Sequence, residues 1–164
     1  MLQKKICLLG AFGVGKTSLV RRYVDTIFSD AYLTTVGVKI DKKVMTVGGE
    51  QMALILWDIA GEDAVAAVRV SYLRGAAGYL LVVDGTRPET LDTAESIQSR
   101  ITAEIGAVPF IALLNKADLV EDWAIAPERV QALEAAGWSF MRTSAKTGDS
   151  VEAAFGELAT RLAR

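Results

Sequence analysis

The chain contains no histidine and only one cysteine. With neither imidazoles nor clustered thiolates, it offers no ligand set for zinc. Cys7 has no second thiol with which to form an internal disulfide, which fits a reducing compartment, and a cytoplasmic location is expected. Long apolar runs are also missing. The longest, Gly75 to Val83, is far short of the roughly 20 residues that span a bilayer. The first residues lack the apolar segment of a signal peptide. Residue 2 is leucine, so the myristoylation pattern is absent, and the chain ends Leu162-Ala163-Arg164 without a prenylation cysteine. No direct membrane anchor is expected. A formal charge of -2 gives no sign of a nucleic-acid surface. There is no repeat, low-complexity tract or linker. A chain of 164 residues with 51% hydrophobic content is expected to be one domain, 1–164, with an ample core, and a monomer.

Against these absences stand three runs that fit together as one nucleotide site. They are Gly10-Ala11-Phe12-Gly13-Val14-Gly15-Lys16-Thr17, Asn115-Lys116-Ala117-Asp118 and Thr143-Ser144-Ala145-Lys146. The first follows a strand-length apolar run, Lys5 to Leu9, and opens an amphipathic helix with Leu19, Val20, Tyr23 and Val24 on one side. That is the context of a P-loop. Gly10, Gly13 and Gly15 let backbone N–H groups, including that of Val14, converge on phosphate oxygens. The helix N-terminus, with Ser18 in its first turn, adds its positive dipole end. Lys16 reaches toward the β- and γ-phosphates, and the Thr17 hydroxyl suits magnesium, a hard cation. The second and third runs are of the kind that recognise guanine. In this order and spacing the three point to GTP or GDP.

Elsewhere strands and helices alternate. Val38 to Val47 and Met52 to Trp57 flank Gly48-Gly49 and read as an antiparallel hairpin. Gly78 to Val83 and Phe110 to Leu114 read as strands buried on both faces, and Ser139 to Arg142 as a short last strand. Helices are predicted at Thr90–Ile105, Pro127–Ala136 and Ser150–Leu162, with Pro88 and Pro127 near helix starts. This is a doubly wound α/β pattern with a hairpin on one side. Gly10, Asp58 and Asn115 all fall at the carboxyl ends of strands, where such folds bind ligands.

The whole chain resembles a small GTPase of the Ras superfamily, most like the Rab branch. Tyr32-Leu33-Thr34-Thr35-Val36-Gly37-Val38 is similar to the Rab first switch. Trp57-Asp58-Ile59-Ala60-Gly61 is similar to the Trp-Asp-Thr-Ala-Gly run that opens the second, and Ser71-Tyr72-Leu73-Arg74-Gly75-Ala76 to a Rab Ser-Tyr-Tyr-Arg-Gly-Ala segment. The resemblance implies a three-layer P-loop NTPase fold: a six-stranded, mostly parallel sheet with one antiparallel strand and about five helices. It implies a GTP/GDP switch that slowly hydrolyses GTP to GDP and phosphate and signals through loops near 26–40 and 59–74. Lys16, Thr35, Gly61 and Glu62 would be the catalytic positions. Thr17, Thr35 and, through a water, Asp58 would hold magnesium. The Thr35 hydroxyl and the Gly61 N–H would engage only with GTP bound, which orders both loops. An effector, an exchange factor and an activating protein would dock on those loops.

For the base, the Asp118 carboxylate would accept from N1–H and the exocyclic amine of guanine, neither of which adenine offers. An unpaired buried carboxylate costs about 2–4 kcal/mol, enough to discriminate against ATP. Asn115 would tie this loop to the phosphate cradle, and the Lys116 stem would lie along the base. The Ala145 N–H would meet guanine O6, with Ser144 and Lys146 supporting the loop. Phe28 resembles the aromatic on the base edge and reads equally well as a core residue. The chain departs from the family at Glu62, where most members carry glutamine, at Phe12, where a small residue is usual, at Ile40, which replaces an aromatic of the Rab effector patch, and in its lack of a lipidated tail. Two alternatives remain at the level of sequence. One is a P-loop kinase, which shares only Gly10–Thr17. The other is a binding module locked in one nucleotide state, which Glu62 keeps open.

Asp118→Asn exchanges an acceptor for an amide and is expected to shift preference from guanine to xanthine nucleotides. Titration with labelled GTP and XTP measures this. An unchanged preference for GTP would remove Asp118 from the base site.

Overall fold

The computed structural model describes residues 1–24, 32–33, 38–59 and 70–163. Its strands are β1 (Leu2–Gly10), β2 (Tyr32–Leu33), β3 (Val38–Val47), β4 (Glu50–Ile59), β5 (Ala76–Asp84), β6 (Phe110–Asn115) and β7 (Phe140–Arg142). Its helices are α1 (Lys16–Tyr23), α2 (Val70–Leu73), α3 (Glu89–Ile105), α4 (Pro127–Ala135) and α5 (Val151–Leu162). The sheet order is β2-β3-β4-β1-β5-β6-β7. The six strands expected are present, with β3 and β4 antiparallel and the rest of that set parallel. The two-residue β2 extends the sheet at one edge, antiparallel to β3. Four-residue α2 and a single 3-10 turn at Val120–Asp122 had no sequence signal, being too short to show a period.

Register follows from period-2 alternation. Ile6 and Leu8 of β1 face one side of the sheet with Leu80 and Val82 of β5 and Ile111 and Leu113 of β6. Cys7 and Leu9 face the other side with Tyr79, Leu81 and Val83, and with Ala112 and Leu114. Apolar residues on both faces demand helices on both faces. α5 supplies Val151, Ala154, Phe155, Leu158, Ala159 and Leu162, at helical spacing, and α1 supplies Leu19, Val20 and Tyr23 to the same core. α3 covers the opposite face with Leu91, Ala94, Ile97 and Ile101. α4 buries no residue. It is held laterally, where the Arg129 guanidinium bridges Asp92 and Glu95 of α3. The β3–β4 turn is tight because Gly48 (φ 59°) and Gly49 (φ 84°) both adopt positive φ, the requirement of the turn that matches strand twist.

The topology brings the carboxyl ends of β1, β4, β5 and β6 together. β1 pairs with β4 on one side and β5 on the other, so connections leave it in opposite directions and open a crevice. Among the described residues no helix is long and apolar enough to cross a membrane. The Cys7 thiol is fully buried, and burial pushes its pKa up to about 12, which leaves it chemically inert.

Phe155 is fully buried and stacks on Tyr23 with ring centroids 4.1 Å apart, coupling α5 to α1. Phe155→Ala should cost about 3–5 kcal/mol in urea denaturation. Val120→Ala, at a 76% exposed position, should stay within about 0.5 kcal/mol. Equal costs for the two would refute this placement of the core.

Candidate functional site

The loop between β1 and α1 runs from Gly10 to Gly15 and leads directly into the helix. Lys16, the first residue of α1, is buried at 6% exposure, with Nζ 3.4 Å from the carbonyl oxygens of Gly10 and Ala11. Burial lowers its pKa, and the nearby Asp58 carboxylate opposes that shift. Gly15 has φ 105°, and a Cβ there would collide with the Asn115 amide, so the loop can close onto Asn115 only with glycine. Phe12 is 69% exposed, on the outside of the loop.

Asp58, near the end of β4, accepts from the Thr17 hydroxyl at 2.6 Å. Burial raises its pKa, while Thr17, Lys16 and Lys39 pull it down. A hydroxyl and a carboxylate oxygen side by side at a helix N-terminus form a hard donor pair of the kind magnesium takes, the remaining positions falling to phosphate and water.

Asn115 ends β6 and is buried. Its Nδ2 donates to Val14 O at 2.9 Å. Its Oδ1 accepts from Thr143 Oγ1 at 3.1 Å and from Ala145 N at 3.3 Å. Lys116 adopts φ 66°, a left-handed conformation that side chains rarely take and that functional loops retain. Its Nζ donates to Gly13 O at 3.2 Å and to Asp84 Oδ2 at 2.8 Å, so the stem is stretched beside the loop. Asp118 Oδ1 accepts from Ser144 Oγ at 2.7 Å, joining the second run to the third. Ser144 is buried, Ala145 half-buried and Lys146 exposed. Arg22 of α1 supports the third run from beneath, donating from Nη2 to Thr147 O at 2.7 Å.

Thus the structure brings Phe12, Gly13, Val14, Gly15, Lys16, Thr17, Ser18, Asp58, Asn115, Lys116, Asp118, Ser144, Ala145 and Lys146 to one end of the sheet. Phe28, Thr35, Gly61 and Glu62 lie outside the described residues.

Two further residues belong to this end of the sheet. Asp84 ends β5 and is fully buried, yet it carries the Lys116 ammonium, the Thr86 hydroxyl at 2.7 Å and the Thr86 amide at 2.9 Å. Burial pushes its pKa up, but these donors prevail and hold the carboxyl below its usual range. Arg87 donates from Nη1 to Phe12 O at 2.9 Å. Asp84 had a usable signal, since it terminates an apolar strand as Asp58 and Asn115 nearly do. Arg87 had none.

A model of the Ras family matches residues 5–164 of the chain. The Ras-related protein Rab-3C of Bos taurus is 33% identical over 156 residues, covering 94% of this chain and 69% of that protein. The Rab-3C proteins of Mus musculus and Rattus norvegicus are each 32% identical over the same length and shares.

Because folding lowers the Asp84 pKa, its contribution to stability is complete above the ordinary value of 3.8 and is lost as pH falls through the lower folded value. Asp84→Asn should therefore cost about 1.5–3 kcal/mol at neutral pH and little once wild-type Asp84 is protonated. Urea denaturation at both pH values provides the comparison. A cost that does not change with pH would show that Lys116 does not depend on the charge of Asp84.

Proposed function

The chain belongs to the Ras family of small GTPases, near its Rab branch, and on that membership we propose how its own residues operate the switch. The protein is a GTP-binding molecular switch and a GTPase. In our reading, Phe12 to Ser18 cradle the phosphates, with Lys16 as the buried cation among the loop amides. Asn115, Lys116, Asp118, Ser144, Ala145 and Lys146 select guanine, and Phe28 covers the base edge. Thr17, Thr35 and, through water, Asp58 hold magnesium. Thr35 and Gly61 sense the γ-phosphate, and Glu62 stands beside the attacking water. The observation that carries this reading is Asn115, one buried side chain bonded both to the phosphate loop at Val14 and to the base loop at Thr143 and Ala145.

Magnesium, when bound, would neutralise charge on the phosphates and orient them. Lys16 adds a cation that burial in a low dielectric makes effective. Asp118, oriented by Ser144, offers carboxylate lone pairs to the two guanine donors. Catalysis is then a matter of positioning and charge stabilisation, with in-line attack by water. A P-loop kinase accounts for neither the Asn115 bridge nor the Ser144–Asp118 bond.

Regulators and effectors are general to the family. For this chain we assign the effector-facing surface to Ile40, Trp57 and Tyr72. Ile40 and Trp57 are directly paired across β3 and β4, and the Lys5 ammonium lies 3.6 Å over the Trp57 ring. The chain is proposed to act as a single domain, as a monomer and in the cytoplasm.

Glu62 should slow turnover. An ionised carboxylate only accepts hydrogen bonds, whereas glutamine also donates to the transferring phosphate. Full repulsion at about 5 Å and an effective dielectric of about 20 would be about 3 kcal/mol, an upper bound on the order of a hundredfold in rate, part of which proton uptake by Glu62 relieves. Intrinsic hydrolysis is expected no faster than about 10⁻⁴ s⁻¹, and Glu62→Gln should raise it several-fold. Single-turnover assays of both proteins across the acid-to-neutral range measure this. A variant slower than wild type throughout would make Glu62 itself a productive group.

A further inference from the structure

Three successive carbonyls of the phosphate loop are gripped from outside. Arg87 Nη1 donates to Phe12 O at 2.9 Å, Lys116 Nζ to Gly13 O at 3.2 Å and Asn115 Nδ2 to Val14 O at 2.9 Å. None of these peptide bonds is cis. In a planar trans peptide, the C=O and the following N–H point in opposite directions. The amides of Gly13, Val14 and Gly15 therefore point away from their tethers. Two tethers come from the Asn115–Lys116 run. The third comes from the connection between β5 and α3, which carries no motif.

The third tether is well anchored. The Arg87 N–H donates to Asp84 O at 3.0 Å, and its Nε lies 3.3 Å from Glu89 Oε1. Nη1 is 3.9 Å from Asp84 Oδ2, the oxygen that also takes Lys116 at 2.8 Å. One buried carboxylate thus lies within ion-pair distance of both Arg87 and Lys116, the two cations that tether the Phe12 and Gly13 carbonyls. The guanidinium also lies close to the next residue, since a Cβ on Gly13 would sit 3.5 Å from Nη1.

We infer that Arg87 is a positioning residue of the phosphate site, acting through the Phe12–Gly13 peptide. Its cation polarises the Phe12 carbonyl and so strengthens the Gly13 N–H on the far side as a donor to phosphate. It also keeps that amide aimed inward, and it places a partly exposed positive charge behind the loop, attractive to an anion and screened by salt. This role rests on the reading of Gly10–Thr17 as the nucleotide phosphate cradle. The alternative is that Arg87 merely pairs with Glu89 at the start of α3.

The test uses the full chain loaded with GDP, with Arg87→Ala and Arg87→Gln as variants. Release of a fluorescent GDP analogue gives the rate, and the ¹H–¹⁵N spectrum reports the Gly13 amide. In Arg87→Ala, release should quicken on the order of tenfold and the Gly13 proton should move upfield. Arg87→Gln retains a donor without the charge and should fall between Arg87→Ala and wild type. Should the alanine variant lose its far-UV spectrum, the glutamine variant decides alone. If wild type holds GDP while both variants release it at the wild-type rate with the Gly13 amide unmoved, the role of Arg87 is overturned and the nucleotide reading stands. If wild type holds no guanine nucleotide, both fall.

Discussion

The site depends first on the hydrogen bond from the Asn115 amide to the Val14 carbonyl, at 2.9 Å. It is buried, and the two residues are 101 positions apart in sequence. An asparagine is suited to this position because it donates and accepts at once. Its amide nitrogen holds the phosphate loop while its oxygen collects the Thr143 hydroxyl and the Ala145 amide. A carboxylate would leave the Val14 carbonyl without this donor, and an aliphatic side chain would leave the Val14 carbonyl, the Thr143 hydroxyl and the Ala145 amide without their bonds to it. The loop after β1 and the loop after β7 are therefore joined through one side chain.

Charge is arranged around that joint in two pairs, each with a different physical balance. Lys16 and Asp58 are both buried, and burial moves each pKa toward the neutral form, the lysine down and the aspartate up. A low dielectric magnifies whatever field such groups meet. Lys116 and Asp84 differ. There the hydrogen bonds outweigh burial and keep the carboxylate ionised, so the pair is structural and sets the direction of the Lys116 stem. The first pair sits where the loop meets α1 and β4, whereas the second tethers the loop at Gly13.

The sheet supplies the rigidity that such distances need. β1 is flanked by parallel partners on both sides and covered by helices on both faces, so its carboxyl end has little freedom. The phosphate loop is the direct continuation of that end. By contrast α4 has no fully buried residue; it rests on the core through half-buried Val130 and Leu133, and its exposed ion pairs to α3 contribute little. Precision is thus concentrated where β1, β4, β5 and β6 end.

Much of this was legible in the sequence. Strand and helix positions follow from local periodicity, and each helix from α3 to α5 begins and ends within a residue of its predicted limit, with Pro88, Gly106 and Pro127 marking limits locally. Ser150 illustrates the margin: it reads as the first helical residue but is a left-handed cap before Val151. The three runs of the candidate site were equally readable as runs, since each is contiguous, and the structure brings them to one end of the sheet. Beyond the Asn115 tie to the phosphate cradle, which the family resemblance implied, the pairings of side chains were decided by tertiary structure alone. That Asp84 and not solvent receives Lys116, that Arg22 supports Thr147, and that Arg87 reaches Phe12 across 75 positions are consequences of strand order. A charged side chain beside a proline looks like an ordinary helix flank in sequence. Its role emerges only when the sheet sets the end of β5 beside the end of β1, because hydrogen bonding depends on distance in space and composition carries no record of that distance.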